Sequence, residues 1–444
     1  MIGELAVANV LVTVLSIFSL YYIFRKGRNY IYYLLIYNIL IDVLSLFTPP
    51  GGFIAIIRGV VLFTFFFYVF INYNKANTPI KIIIGYSIYA LILVLFSSRF
   101  LYSFRTYTKT IISILYFCVG YIVIVDINQL KKLTKSIVWV MLIMIVNTLV
   151  VNLLGYKNYV YNEDQLMASG SLAGQTWNIA SYCLLLLPLI NHFERDQLKR
   201  YIIYTVSFVL FVMMLFNLSR IPLVSFLFGY FVFFVFLRYK RKIYSILIPA
   251  FFFGIIINVF IWDTYIQQVK IRSESYELGS YKSEGRYQET FYVFDEIFSF
   301  ESITKSLFGK EFLNSPGNYA GGKFGNRQLH SDYNNLLHGS GIIGLLFYFT
   351  IFISIYRRYF LIKKYLPKND LTVDLLKSIF HMLILVPFVI SISGQMYDIT
   401  FRLMDFLFLG AILRVLTNLS QRILYENKYS ATMQWQKLQN GAIL

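Results

Sequence analysis

Apolar runs of about twenty residues follow one another along nearly the whole chain, each long enough to cross a hydrocarbon core of roughly 30 Å. They lie near 4–24, 29–47, 52–72, 80–97, 110–126, 136–154, 175–191, 201–217, 221–237, 244–263, 339–356, 375–392 and 398–417. The pattern predicts an all-α integral membrane protein with about 12–14 transmembrane helices. One long polar stretch, residues 264–337, breaks the series. The expected organisation is a transmembrane helix bundle of about ten spans over 1–263 and a large outer loop over 264–337. The final transmembrane helices follow over 338–417, and then a polar, basic cytoplasmic tail over 418–444.

Composition agrees with a membrane class. The 444 residues are 58% hydrophobic and 14% charged, against roughly a quarter charged in a soluble domain. The net charge of +18 is spread over alternate loops and does not mark one face. Arg25, Lys26 and Arg28 open the series, followed by Lys75 and Lys81, Lys131, Lys132 and Lys135, and Arg195, Lys199 and Arg200. Arg238, Lys240, Arg241 and Lys242 come next, then Arg357, Arg358, Lys363, Lys364 and Lys368. The intervening short loops hold few: Arg99, Arg105, Lys109, Lys157 and Arg220. This asymmetry reports topology. It places the amino terminus and the 264–337 loop outside and the carboxyl terminus inside, and it argues against nucleic acid as a partner. Cys118 and Cys183 sit in apolar segments, so no disulfide framework is expected. The first apolar segment follows Met1 without a basic region or cleavage site and is expected to be a retained span.

Within the polar stretch, Tyr287, Phe291, Phe294 and Phe298 recur at helical spacing with Glu289 and Asp295 between them. That predicts a short amphipathic helix lying in the membrane interface. Residues 315–322 carry Pro316, Gly317, Gly321 and Gly322 and read as a mobile, turn-rich segment.

Three residues carry the candidate chemistry. Arg220 and Arg286 have the guanidinium geometry that suits phosphate oxygens, although either also suits snorkelling or loop capping. His330 is a candidate for proton transfer near neutral pH, with Asp332 or Asn335 to orient its ring. The plain alternative is a loop histidine bound to backbone carbonyls. His338 follows eight residues later, but the spacing matches no zinc motif, so no metal is expected. Asp42, Arg58, Arg402 and Asp405 fall at membrane depth, where an unpaired charge costs at least about 2.5–3.5 kcal/mol. Arg402 and Asp405 share a helical face and are expected to pair; Asp42 is the natural partner of Arg58. Of these, Arg58 is the strongest candidate for a polar path to a lipid-phosphate pocket. Tyr287, Tyr319 and Tyr333 are the candidates for stacking on sugars.

Ser219-Arg220 at an outer span boundary, Gly285-Arg286 in the large loop, and His330-Ser331-Asp332-Tyr333 with Asn335 and Leu337, running into Gly341-Ile342-Ile343-Gly344, resemble the O-antigen polymerase and O-antigen ligase superfamily. The specific motifs lie within about residues 217–350; elsewhere the likeness is one of architecture. Many relatives carry Trp shortly after the Gly-Arg, where this chain has Tyr287 or Phe291. The resemblance implies a cofactor-free, metal-independent membrane glycosyltransferase in a bacterial inner (plasma) membrane, with its active site on the outer, periplasmic face. Arg220 and Arg286 would bind a diphosphate, and His330 would activate or position an acceptor hydroxyl. Asp332, Asn335, His338, Tyr333, Tyr287 and Arg58 complete the candidate substrate-binding set.

The implied partners are an undecaprenyl-diphosphate-linked oligosaccharide, as donor and acceptor, the lipid bilayer, a chain-length regulator and a flippase. The form of the His330 motif favours a polymerase over a ligase that moves finished glycan to a final acceptor. A lipid-linked oligosaccharide flippase is the rival from another class; it would share the spans but would not need the structured loop.

Overall fold

A computed structural model describes residues 2–45, 53–73, 77–153, 176–216, 220–238, 285–392 and 398–441. Most of these residues are helical, with no strand among them. The helices are α1 (Ile2–Lys26), α2 (Ile31–Ser45), α3 (Phe53–Tyr73), α4 (Thr78–Leu95), α5 (Phe100–Val123) and α6 (Ile127–Leu153). They continue with α7 (Thr176–Leu185), α8 (Leu187–Phe193), α9 (Gln197–Phe216) and α10 (Arg220–Phe236). The last five are α11 (Gly285–Phe298), α12 (Ile303–Phe308), α13 (Asp332–Lys363), α14 (Leu371–Ser391) and α15 (Ile399–Gly441).

A helix occupies every predicted span except 244–263, which lies outside the described residues. Eight helical stretches among the described residues are long and apolar enough to cross a membrane, with α1 and α2 counted together. The span near 175–191 is broken where Pro188 opens α8, as a residue without a backbone donor should do. Ile17, Phe24, Ile71, Leu95 and Phe231 face outward around an equally apolar interior. Helices apolar on all sides have hydrocarbon for solvent. The protein is an all-α, multi-pass membrane protein. Helix α15 runs on through the polar residues after 418 without a break.

Side-chain bonds sort the helix ends into two poles. At one pole Ser98 binds Glu311, Gln328 binds Tyr102, and Tyr89 binds the carbonyl of Ser340. At the other, Asn418 reaches the carbonyl of Val125, Asp374 accepts from the Arg238 amide, and His192 meets Thr372. These are the two sides that the charge pattern separates.

The centre of the bundle is the pair α5 and α15, packed along much of their length. A Cβ on Gly120 would lie 2.1 Å from the carbonyl oxygen of Leu407, and one on Gly410 would lie 2.2 Å from that of Phe117. Only glycine permits backbones this close, the usual device of helix packing in membranes. The first turn of α15 also closes a buried polar knot. Arg58 donates to Asn38 and to Thr400, each at 2.7 Å, and pairs with Asp42. Thr400 in turn donates to Asp42. The expected Asp42–Arg58 pairing is present. Each of the three Arg58 nitrogens makes a bond inside the knot, which compensates a charge that the low-dielectric interior would not otherwise hold.

The polar motif does not precede its span but forms the head of it. Residues from Asp332 to Ser340 are helical, and the chain then kinks at Gly341, which takes φ 65° and ψ −170°. The elbow receives the loop: a Cβ on Gly341 would sit 2.3 Å from the carbonyl oxygen of Leu307, and the amide of Lys310 donates to the carbonyl of His338 at 2.8 Å. The Ser340 carbonyl beside the kink is taken up by Tyr89 at 2.8 Å. Gly341→Ala is therefore expected to lower stability by about 1–3 kcal/mol from backbone strain alone, before any clash. Thermal denaturation of the detergent-solubilised protein would show this as a fall in the midpoint.

Candidate functional site

Helix α11 buries Val293 and Ile297 against Tyr319, Leu329 and Leu337, a small core within the polar segment. Glu289 lies on the same face, one turn before Val293, with its side chain only 1% exposed. The opposite face presents Phe291, Phe294 and Phe298 outward, and Phe300, Ile303 and Phe308 extend that surface. The predicted helix is thus present, and its aromatic stripe is the exposed side. Residues 315–322 are turn-rich as expected, but they are also packed: Ser315 and Tyr319 are buried, and the Gly317 amide binds the carbonyl of Gly325 at 2.9 Å.

A carboxylate buried this deeply needs donors, and Glu289 has them. Arg327 Nε stands 3.1 Å away, His330 Nδ1 3.1 Å, the His330 amide 3.3 Å and the Tyr319 hydroxyl 3.4 Å. Burial alone would push the Glu289 carboxyl up. The His330 hydrogen bond and the charges of His330 and Arg327 outweigh it and hold the group below its ordinary value. With Nδ1 directed at the carboxylate, the neutral ring carries its proton there and leaves the Nε2 lone pair free. The ring remains about one-third exposed, with its side chain at 32%. Arg327 Nη2 is 3.3 Å from both ring nitrogens. No approach in the ring plane allows that equality, so the guanidinium lies over the ring face.

The orienting residue is a correction to the sequence reading, which offered Asp332 or Asn335. Asp332 is instead bound to Arg402 of α15. Asn335 donates to the carbonyls of Leu329 at 3.0 Å and Ser331 at 2.9 Å, which folds the segment before α13 back onto its first turn. Asn335 thus shapes the loop that carries His330. The expected Arg402–Asp405 pair is also absent. Helical side chains lean toward the amino terminus, so Arg402 reaches up to Asp332 and to the Ser391 hydroxyl at 2.9 Å, away from Asp405 one turn below.

The remaining candidates divide. His338 is fully buried, 3.3 Å from the carbonyl of Asn318 and set against the Tyr319 ring, so its contacts are structural. Tyr333 donates to the carbonyl of Phe388 at 2.9 Å and stacks on Phe349, which binds α13 to α14 and does not present the ring to a sugar. Tyr319 is buried and spends its hydroxyl on Glu289. Arg220 is the first residue of α10 and Arg286 the second of α11; their side chains, and that of Tyr287, lie outside the described residues. The structure therefore brings together His330, Glu289, Arg327 and Tyr319. Sequence reading missed Glu289 as a partner and Arg327 altogether. The available signal was Glu289 itself, an acid in register with Val293 and Ile297 on an apolar face.

No protein-family model and no curated protein matches the chain.

Because the folded Glu289 value lies below the ordinary one, its contribution is complete above the ordinary carboxyl range and is lost as pH falls through the folded value. Limited proteolysis of the solubilised protein should cut within 311–330 faster once pH drops below that range. Glu289→Gln should cut faster even at neutral pH and lose that part of the pH dependence.

Proposed function

We propose that this protein is a polysaccharide polymerase of a bacterial plasma membrane, working at its outer face. It transfers a growing glycan from undecaprenyl diphosphate to the non-reducing end of the next lipid-linked repeat unit. The observation that carries the reading is the Glu289–His330 pair, which sits where the motif resembling the polymerase and ligase superfamily begins.

The chemistry is a single displacement. His330 Nε2 takes the proton of the acceptor hydroxyl as its oxygen attacks the anomeric carbon, and the bond to the diphosphate breaks with its electron pair leaving on phosphate oxygen. A hydrogen-bonded carboxylate behind the ring fixes the tautomer and stabilises the imidazolium that forms. Negative charge grows on the leaving diphosphate, and fixed guanidiniums stabilise that growth more than the ground state. Arg220 and Arg286 fill this role in the proposal, and Arg327, anchored beside the base, adds a third cation. Attack from the face opposite the leaving group inverts the anomeric centre.

The test is to replace His330 by Ala and Glu289 by Gln in the native host, confirm membrane insertion, and profile the surface glycan on gels. His330→Ala should abolish the polymer ladder and leave single repeat units on the acceptor. Glu289→Gln should lower the rate by roughly 10²–10⁴-fold, in the range of general acid–base contributions. Polymer accumulating on undecaprenyl diphosphate would reassign the enzyme as a ligase. An unchanged ladder in the His330 variant would sink the reading.

A further inference from the structure

The aromatic stripe of α11 takes no part in the chemistry assigned to its other face. Phe291, Phe294 and Phe298, with Phe300, Ile303 and Phe308 after them, are each between 40% and 69% exposed. Ring contacts make the row continuous, with centroids 5.3 Å apart for Phe294 and Phe298 and 6.5 Å apart for Phe298 and Phe300. At about 100° per residue, Asp295 falls at the edge of the stripe and Val293, Ile297 and Glu289 fall opposite it, where they are buried. The exposed charges beside the row are Asp295, Glu301 and Lys305. They carry both signs, so the surface is defined by its apolar area and not by a charge. An apolar surface of this extent, rimmed by polar residues, marks a protein or membrane contact.

The position of the row on the bundle says which contact it is. Phe308 ends α12 at the level of the elbow, because a Cβ on the next residue, Gly309, would lie 2.6 Å from the amide nitrogen of Ser340. Below the elbow α13 becomes a span, and its Leu346 and Ile353 are exposed. Leu346 lies five residues past Gly341, about 7–8 Å along a helix. The row therefore stands at the height where the lipid-facing surface of α13 begins. The same pole exposes Phe96 and Leu101 at the turn from α4 to α5, next to the Ser98 that binds Glu311. Apolar and aromatic side chains on separate elements at one height form a band, as at the rim of a bilayer, where a patch for a second protein would be confined to one side. A helix with one apolar and one polar face at that height lies in the interface, its apolar face sunk about 5–10 Å.

We propose that the face of α11 and α12 formed by Phe291, Phe294, Phe298, Phe300, Ile303 and Phe308 is inserted in the lipid leaflet at the His330 pole. The bilayer is then a partner of the Glu289–His330 pair, because it holds one side of the helix whose other side carries Glu289. The carboxylate is kept about one helix diameter, roughly 10 Å, from the apolar boundary. The proposal does not depend on the glycan-transfer reading, and its test needs no turnover. The full chain is placed in vesicles of phosphatidylethanolamine and phosphatidylglycerol with a nitroxide on Phe294→Cys or Phe298→Cys. Cys118 and Cys183 are buried, so the reagent reaches the introduced thiol. Leu346→Cys serves as the lipid-facing reference and Asn326→Cys, at an exposed loop position, as the aqueous one. Collision with oxygen, which concentrates in lipid, is compared with collision with a water-soluble nickel chelate. Labels at 294 and 298 should show an oxygen-to-nickel ratio close to that at 346 and well above that at 326. A ratio like that at 326 would mean that the face meets water, and loss of access to both reagents would mean that protein covers it. Either result overturns the proposal.

Discussion

The bond between Arg402 and Asp332 is the constraint on which the rest of the arrangement depends. Both groups are buried, at 4% and 0% exposure of their side chains, in a region where neither charge could remain alone. Removing one partner of such a pair costs about 3–5 kcal/mol, chiefly because the other is left uncompensated. The pair joins the first turn of α15 to the first turn of α13, and Ser391 brings in the last turn of α14. Three helix ends are thereby fixed to one another. His330 lies two residues before Asp332, so the same bond sets the height of the imidazole relative to the bundle.

What remains is the direction in which the ring points, and that is settled from the other side. Glu289 approaches from α11, and Asn334 adds a bond to Thr290 of the same helix at 2.8 Å. One helix of the polar segment thus orients a side chain carried by the head of a span. The glycine elbow at 341 lets the head and the span take different directions, so the head can meet α11 while the span keeps its place beside α4. Packing and electrostatics here divide the work: Arg402 determines where the imidazole is, and Glu289 determines which nitrogen is free.

The spans were legible because each is encoded locally. Twenty apolar residues cross hydrocarbon whatever their neighbours are, and alternating basic loops sort their ends. Asp42 and Arg58 could be paired on paper because both stood at membrane depth in adjacent spans. The partnership of Glu289 and His330 was hidden, since 41 residues separate them and only the folded segment brings them together. Asp332 beside His330 was the wrong inference for a physical reason. At a helix amino terminus its side chain turned to a buried arginine on another helix, which sequence proximity cannot show. Arg327 drew no notice because an arginine in a polar loop ordinarily faces water, and only the buried acid behind it makes its position specific.

The central pairing of α5 with α15 bears on biosynthesis. The groove of α5 around Gly120, and the knot of Asn38, Asp42 and Arg58, are made early as the chain emerges. Their complements, Gly410 and Thr400, belong to the last helix. Until α15 is inserted, the Arg58–Asp42 pair lacks its Thr400 bonds and the glycine seam of α5 lacks the backbone that fills it. The glycine seam and the Thr400 side of the knot therefore close only once α15 has been inserted.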